Sequence, residues 1–85
     1  MCTYIVERTE VNGSGKGPQG WFALTHANVM FDHPVHAQYD HCLTIDFVNE
    51  GMGPAARVAI ELGADSAREL VKKIVAALEA GEAQT

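Results

Sequence analysis

Basic residues, cysteines and long apolar runs are all scarce in this chain of 85 residues. Its six lysines and arginines are scattered and its net charge is −5. This distribution argues against the basic patch that binding to a nucleic-acid backbone or an anionic membrane surface requires. No apolar run approaches the ~18 residues of a membrane-spanning helix. The sequence therefore predicts a protein that binds neither nucleic acid nor membrane.

Only two cysteines are present, Cys2 and Cys42, and no signal peptide is visible at the N-terminus. We therefore expect a cytoplasmic protein whose cysteines remain free thiols. Removal of Met1 would place the Cys2 thiol beside an α-amine, the arrangement that N-terminal nucleophile hydrolases use. Because those enzymes need a much larger layered fold, the favoured interpretation of Cys2 is a small residue at the start of an edge strand.

The length fits a single domain, residues 1–85, with an apolar fraction of 47% that is typical of globular proteins. A core of this size is marginal on its own. Small domains usually add a disulfide, a metal ion or a second chain to become stable.

β-Branched and alternating apolar residues predict four strands, over residues 3–11, 21–31, 42–48 and 55–62. In the third, Leu43, Ile45 and Phe47 share one face. In the fourth, the inward side chains are Ala56, Val58, Ile60 and Leu62, with Arg57 and Glu61 outward. Glycine-rich residues 12–20 are predicted to form a loop, and residues 32–40 and 49–54 are predicted connections.

The C-terminal segment carries the pattern of an amphipathic helix. Ser66 and Glu69 match a capping box, Asp65 is an alternative N-cap, and Gly81 is the predicted C-cap. An apolar stripe spans roughly 160° of the helical wheel; it consists of Ala67, Leu70, Val71, Ile74, Val75, Ala77 and Leu78. We predict an α+β domain in which a four-stranded antiparallel sheet is followed by one C-terminal amphipathic helix packed on one face.

The predicted sheet has more apolar surface than one helix covers, because it is roughly 19 Å wide and the helix is ~10 Å across. The second strand is apolar on both faces, with Trp21, Ala23, Val29 and Phe31 on one and Phe22, Leu24 and Met30 on the other. Such a strand is usually covered on both sides. We therefore predict a homodimer in which a sheet face or a strand edge meets the second copy.

All four histidines fall within sixteen residues: His26, His33, His36 and His41. Imidazole is the commonest metal ligand in proteins. In a turn stiffened by Pro34, His33 and His36 can point to one ion, with His41 at the start of the next strand and His26 approaching from the side. Asp32 or Asp40 would act as a further ligand or hold a ring tautomer.

The predicted function is therefore a small protein that binds a divalent transition metal, with zinc, iron, copper and nickel all compatible. Its ligands would be His33, His36 and His41, followed by His26. No CxxC or HExxH motif is present, so the spacing identifies no reaction and leaves open whether the protein is an enzyme. Two other interpretations of the histidines are turn capping in solvent and a pH-sensitive interface. The alternative functions are a non-catalytic homodimeric interaction module or accessory subunit, and a small-ligand-binding dimer.

Other candidate sites are weaker. Residues 13–20 (GSGKGPQG) lack the Ser or Thr and the following helix of a phosphate-binding loop, so a flexible hairpin loop is favoured. Trp21, Phe22 and Tyr39 could line an apolar pocket, although packing in a core or interface is the favoured interpretation. Three carboxylates that offer no readable general-base pair are interpreted as solvent-facing strand charges: Asp46, Glu50 and Glu61.

The opening MCTYIVERTEVNGSGKGPQGWF and the later FDHPVHA resemble a family of short uncharacterised bacterial proteins. The resemblance extends over essentially the whole chain. Because that family has no known function, the resemblance implies no activity, cofactor or site residue.

Overall fold

A computed structural model describes residues 5–38 and 40–85. The elements are β1 (Ile5–Gly17), β2 (Gly20–Asp32), β3 (Cys42–Val48), β4 (Arg57–Leu62) and α1 (Ala64–Ala83), with a 3-10 turn at Glu50–Met52. Each strand pairs antiparallel with its neighbour in sequence, which gives a four-stranded sheet of order β1-β2-β3-β4. The predicted α+β class is confirmed. The expectations for Met1, Cys2, Thr3 and Tyr39 lie outside the described residues.

The two faces of the sheet differ in polarity, because residues directly opposite one another in neighbouring strands share a face. The apolar face carries Ala27, Val29 and Phe31 from β2, Leu43, Ile45 and Phe47 from β3, and Val58, Ile60 and Leu62 from β4. The other face, called the polar face below, carries His26, Asn28 and Asp32 from β2, Thr44 and Asp46 from β3, and Arg57 and Glu61 from β4, together with the apolar residues Met30, Cys42, Val48 and Ala59. The alternation predicted for β3 and β4 is thus confirmed.

The hairpin of β1 and β2 is longer than predicted, and the expected loop over residues 12–20 is wrong. β1 continues to Gly17 and β2 begins at Gly20, which leaves Pro18 and Gln19 as the turn. A bulge after Glu10 shifts the register, and the glycine-rich residues then pair with β2. A Cβ atom at Gly15 would lie 3.2 Å from Leu24 Cδ2 and 3.3 Å from Val58 Cγ2. Glycine here therefore permits close packing of the hairpin against β4.

Both predicted ends of α1 are displaced. The N-cap is Gly63 instead of Asp65 or Ser66, and its carbonyl accepts a hydrogen bond from the Ala67 N–H at 2.9 Å. Asp65 lies in the first turn, where an acidic side chain is favourable to the helix dipole. Gly81 lies inside the helix, which continues to Ala83. One glycine costs a helix only about 1 kcal/mol relative to alanine, so it does not have to end the helix.

The described residues contain no large side chain that is fully buried. The buried apolar residues are Ala27, Cys42, Ala56 and Ala67, and Cys42 carries a free thiol as expected. α1 contacts β3, and Ala67 is its buried residue, so the predicted packing on the sheet is present at this point. Further along, the side chains of the helix stripe, namely Leu70, Val71, Ile74, Val75 and Leu78, are 41% to 60% exposed. The radius of gyration, 14.4 Å, exceeds the about 12 Å of a compact domain of this length.

Candidate metal site

The connection between β2 and β3 is held by one side chain of β4. The Glu61 carboxylate accepts backbone hydrogen bonds from Val35 at 2.6 Å, His36 at 3.0 Å and Ala37 at 2.9 Å. Successive N–H groups that converge in this way form a concave binding site for an anion. Here the anion is supplied by the chain itself, and it ties residues 35–37 to the polar face.

These hydrogen bonds change the acidity of Glu61. The backbone N–H groups of Ala37 and Val35, in that order, lower the pKa of its carboxyl below the ordinary 4.5. Desolvation raises the pKa and partly opposes them, and His36 contributes a smaller lowering. A depressed pKa in the folded state means that the ionised carboxylate stabilises the folded connection. This contribution is complete above the unfolded-state pKa and is lost as the pH falls through the lower folded-state pKa.

Acidification is therefore expected to release residues 35–37 from Glu61. The amide resonances of Val35, His36 and Ala37 should titrate together, with a midpoint below 4.5, when followed by NMR. Glu61→Gln should abolish this shared transition, since the amide does not ionise. Three amides with unrelated midpoints, or a transition that persists in Glu61→Gln, would show that the carboxylate does not hold the connection.

His33, Asp40 and His41 come together where the connection returns to β3. One potential ligand atom from each lies within 4.8 Å of the others, and all three residues are exposed. The Nδ1–H of His33 donates to the Asp40 carbonyl oxygen at 2.8 Å, and His41 Nδ1 lies 3.2 Å from Asp40 Oδ2. The ring centroids of the two histidines are 4.5 Å apart, and the His41 ring is stacked with Phe31 at 5.9 Å.

The other two predicted ligands lie outside this cluster of described residues. His36 is on the same connection, but its backbone N–H is bonded to Glu61. His26 lies on β2, with its Nδ1 2.9 Å from Thr25 Oγ1 and 3.3 Å from a Glu50 carboxylate oxygen. The structure thus groups two of the four predicted histidines with Asp40, to which the sequence analysis gave a supporting role. Asp32, the other supporting residue, accepts a hydrogen bond from the His33 backbone N–H at 2.7 Å.

The three carboxylates interpreted as solvent-facing strand charges have specific partners, although Glu50 is exposed as predicted. Asp46 forms an ion pair with Arg57 at 3.0 Å and is only 17% exposed. Glu50, on the 3-10 turn, pairs with Arg8 at 2.6 Å, and the hydrogen bond from Arg8 lowers the pKa of the Glu50 carboxyl. Glu61 is the residue that sequence reasoning missed for the site. Its partners lie 24 to 26 residues away, so local alternation could place it on the polar face but not against the connection.

Two clefts have predicted site residues in their walls. One of about 650 Å³ lies between the polar face and the connection, and His33, His36, Arg57 and Glu61 are among its lining residues. Another of about 260 Å³ lies at the β1–β2 turn and includes Trp21 and Phe22 in its lining. His33 therefore belongs both to the candidate metal cluster and to the wall of the larger cleft.

Fold and site together define a small α+β domain with a candidate histidine–carboxylate metal centre on its β2–β3 connection. None of the helices in the described part of the chain is both long and apolar enough to cross a membrane. The protein belongs to DUF6295, a family of unknown function whose model matches residues 1–85. Neither a curated protein nor a solved structure matches the chain. The resemblance drawn from the sequence is confirmed as membership of a family of unknown function.

Proposed function

We propose that this protein binds a divalent transition metal ion through His33, Asp40 and His41. The supporting observation is the convergence of one potential ligand atom from each residue to within 4.8 Å. Two nitrogen ligands of a tetrahedral zinc ion are about 3.3 Å apart, given Zn–N distances of 2.0–2.1 Å. Small rotations of these exposed side chains close the difference. Two imidazoles and a carboxylate suit zinc, iron(II), copper(II) and nickel(II).

The surroundings of the cluster favour imidazole ligands. The hydrogen bond from His33 Nδ1–H to the Asp40 carbonyl selects the tautomer in which Nε2 is the ligand atom. Stacking against Phe31 limits the rotation of the His41 ring. Three protein ligands would leave at least one coordination position for water or an external ligand. An external ligand would reach the metal from the larger cleft, because His33 is a member of the cluster and also lines that cleft.

Metal content and affinity test this proposal directly. Untagged protein is expected to carry or take up about one equivalent of zinc, copper or nickel per chain, measured by elemental analysis and by competition with a chromophoric chelator. The double variant His33→Ala/His41→Ala should lose at least about 100-fold in affinity, since it removes both imidazole ligands. His36→Ala is the matched control, because it deletes an imidazole from the same connection outside the cluster. Undiminished binding in the double variant, or an equal loss in the control, would refute the ligand assignment.

A second candidate function is that of a homodimeric interaction module or accessory subunit in the cytoplasm. It is favoured by the exposure of the α1 stripe, where five large apolar side chains are 41% to 60% accessible. Contiguous apolar surface of this kind marks interaction sites on soluble proteins. This candidate is compatible with metal binding, because the stripe shares no residue with the metal cluster.

A further inference from the structure

The single chain exposes far more surface than a folded protein of its mass. A monomer of 9.2 kDa is expected to expose about 4,900 Å², whereas this chain exposes 6508 Å². The excess, roughly 1,600 Å² per chain, lies within the roughly 1,000–2,500 Å² that each subunit of an obligate homodimer buries. The excess exposed area is therefore of the size that a second copy of the chain would cover in a dimer.

The exposed apolar surface is concentrated on α1. Leu70, Ile74 and Leu78 recur at a spacing of four residues, and Val71 and Val75 widen the same stripe. Ala67, at the start of the stripe, is already buried within the chain. The stripe therefore presents its middle and C-terminal parts as a ridge that no other described element covers.

The charges beside the stripe make it complementary to itself. At 100° per residue, Arg68 and Lys72 lie along one edge in the first half of the helix, Glu79 follows the same edge in the second half, and Glu82 lies about 60° from Glu79 on the side of the stripe. When a two-fold axis perpendicular to both helices relates them, the helices run antiparallel. The same edge of each helix then meets, with its residues in opposite order. Basic side chains of one helix then face acidic side chains of the other.

We propose that α1 pairs with α1 of a second copy of this chain, antiparallel about a two-fold axis near Ile74 and Val75. Packing of the two stripes buries the exposed ridge, and Arg68 and Lys72 of each helix approach Glu82 and Glu79 of the other. In the single chain, Arg68 and Lys72 pair with Asp65 at 3.0 Å and Glu69 at 2.9 Å. Exposed pairs of this kind contribute little, so they do not oppose the exchange. The inference deepens the second candidate function and is independent of metal binding.

Sedimentation velocity on the untagged full chain at micromolar concentrations tests the pairing. Wild-type protein is expected to sediment as a dimer with twice the 9.2 kDa mass of the chain. Ile74→Glu should weaken self-association at least about 30-fold, because it places a charge at the centre of the buried ridge. Ala76→Glu is the matched control, since this exposed residue lies on the opposite side of α1 and the variant should remain dimeric.

Exchanging the charges of Lys72 and Glu79 distinguishes antiparallel pairing of the helices from other modes of self-association. Lys72→Glu and Glu79→Lys should each weaken the dimer about threefold or more, and the double variant should restore it. Both residues are exposed, so these variants remain informative even if Ile74→Glu fails to fold by circular dichroism. A monomeric wild type, a dimer unaffected by Ile74→Glu in a folded variant, or no restoration by the double exchange would overturn the proposal. Metal binding measured on the same variants reports separately on the metal cluster.

Discussion

Ala27→Glu is expected to leave the chain without a cooperatively folded state. Ala27 is 4% exposed at the middle of β2, on the apolar face opposite Phe47. A glutamate there buries an unpaired carboxylate at a cost of several kcal/mol, against a total stability of roughly 5–15 kcal/mol for an ordinary domain. Far-ultraviolet circular dichroism and urea denaturation measure the result.

Ala23→Glu provides the matched control for this substitution. Ala23 lies four residues away on the same strand, but it is exposed. We expect its stability to stay within about 0.5 kcal/mol of wild type, as for most surface substitutions. Cooperative unfolding of Ala27→Glu at nearly the wild-type urea concentration would show that the apolar face is not the core of this fold.

Glu61→Ala is expected to weaken metal binding by about 10- to 100-fold, although Glu61 is not among the proposed ligands. Its carboxylate holds the N–H groups of Val35, His36 and Ala37, which lie between the two histidine ligands in sequence. Without it, the connection loses the order that brings His33 to Asp40 and His41. Competition titration with zinc at neutral pH measures the loss.

Two further variants make this result specific. Glu61→Gln retains a side-chain carbonyl acceptor, so its loss of affinity should be smaller than that of Glu61→Ala. Glu7→Ala removes the same charge from an exposed position on β1 and should bind zinc as the wild type does. Equal affinities for Glu61→Ala and wild type would mean that the cluster forms without the β4 carboxylate.

The strands with a clear side-chain period were predictable from sequence. Cys42–Val48 alternates cleanly, and β3 has these bounds in the structure. The full length of the β1–β2 hairpin was not predictable, because its glycines weaken the local strand pattern. These glycine-rich residues are held in β1 by their pairing with β2. The start of α1 was displaced for a similar reason: a backbone hydrogen bond from Ala67 to Gly63 fixes it without a side-chain cap.

The candidate site was predictable only in part. The density of histidines identified the right segment, but which of them converge depends on the path of the connection. That path is set by Glu61, which is 24 to 26 residues from its backbone partners. A contact over this distance leaves no trace in the local spacing of His33, His36 and His41. The exposure of the helix stripe was also beyond sequence reasoning, since amphipathic periodicity does not specify what covers the apolar side.

The order β1-β2-β3-β4 also governs how the chain can assemble during its synthesis. Each strand pairs with the one made just before it, so the sheet can grow by successive hairpins without waiting for distant segments. α1 is synthesised after all four strands, so its contact with β3, where Ala67 is buried, can form only after the sheet is complete. Chains that stop before Ala64 would therefore be prone to aggregation, with a complete sheet and an open apolar surface.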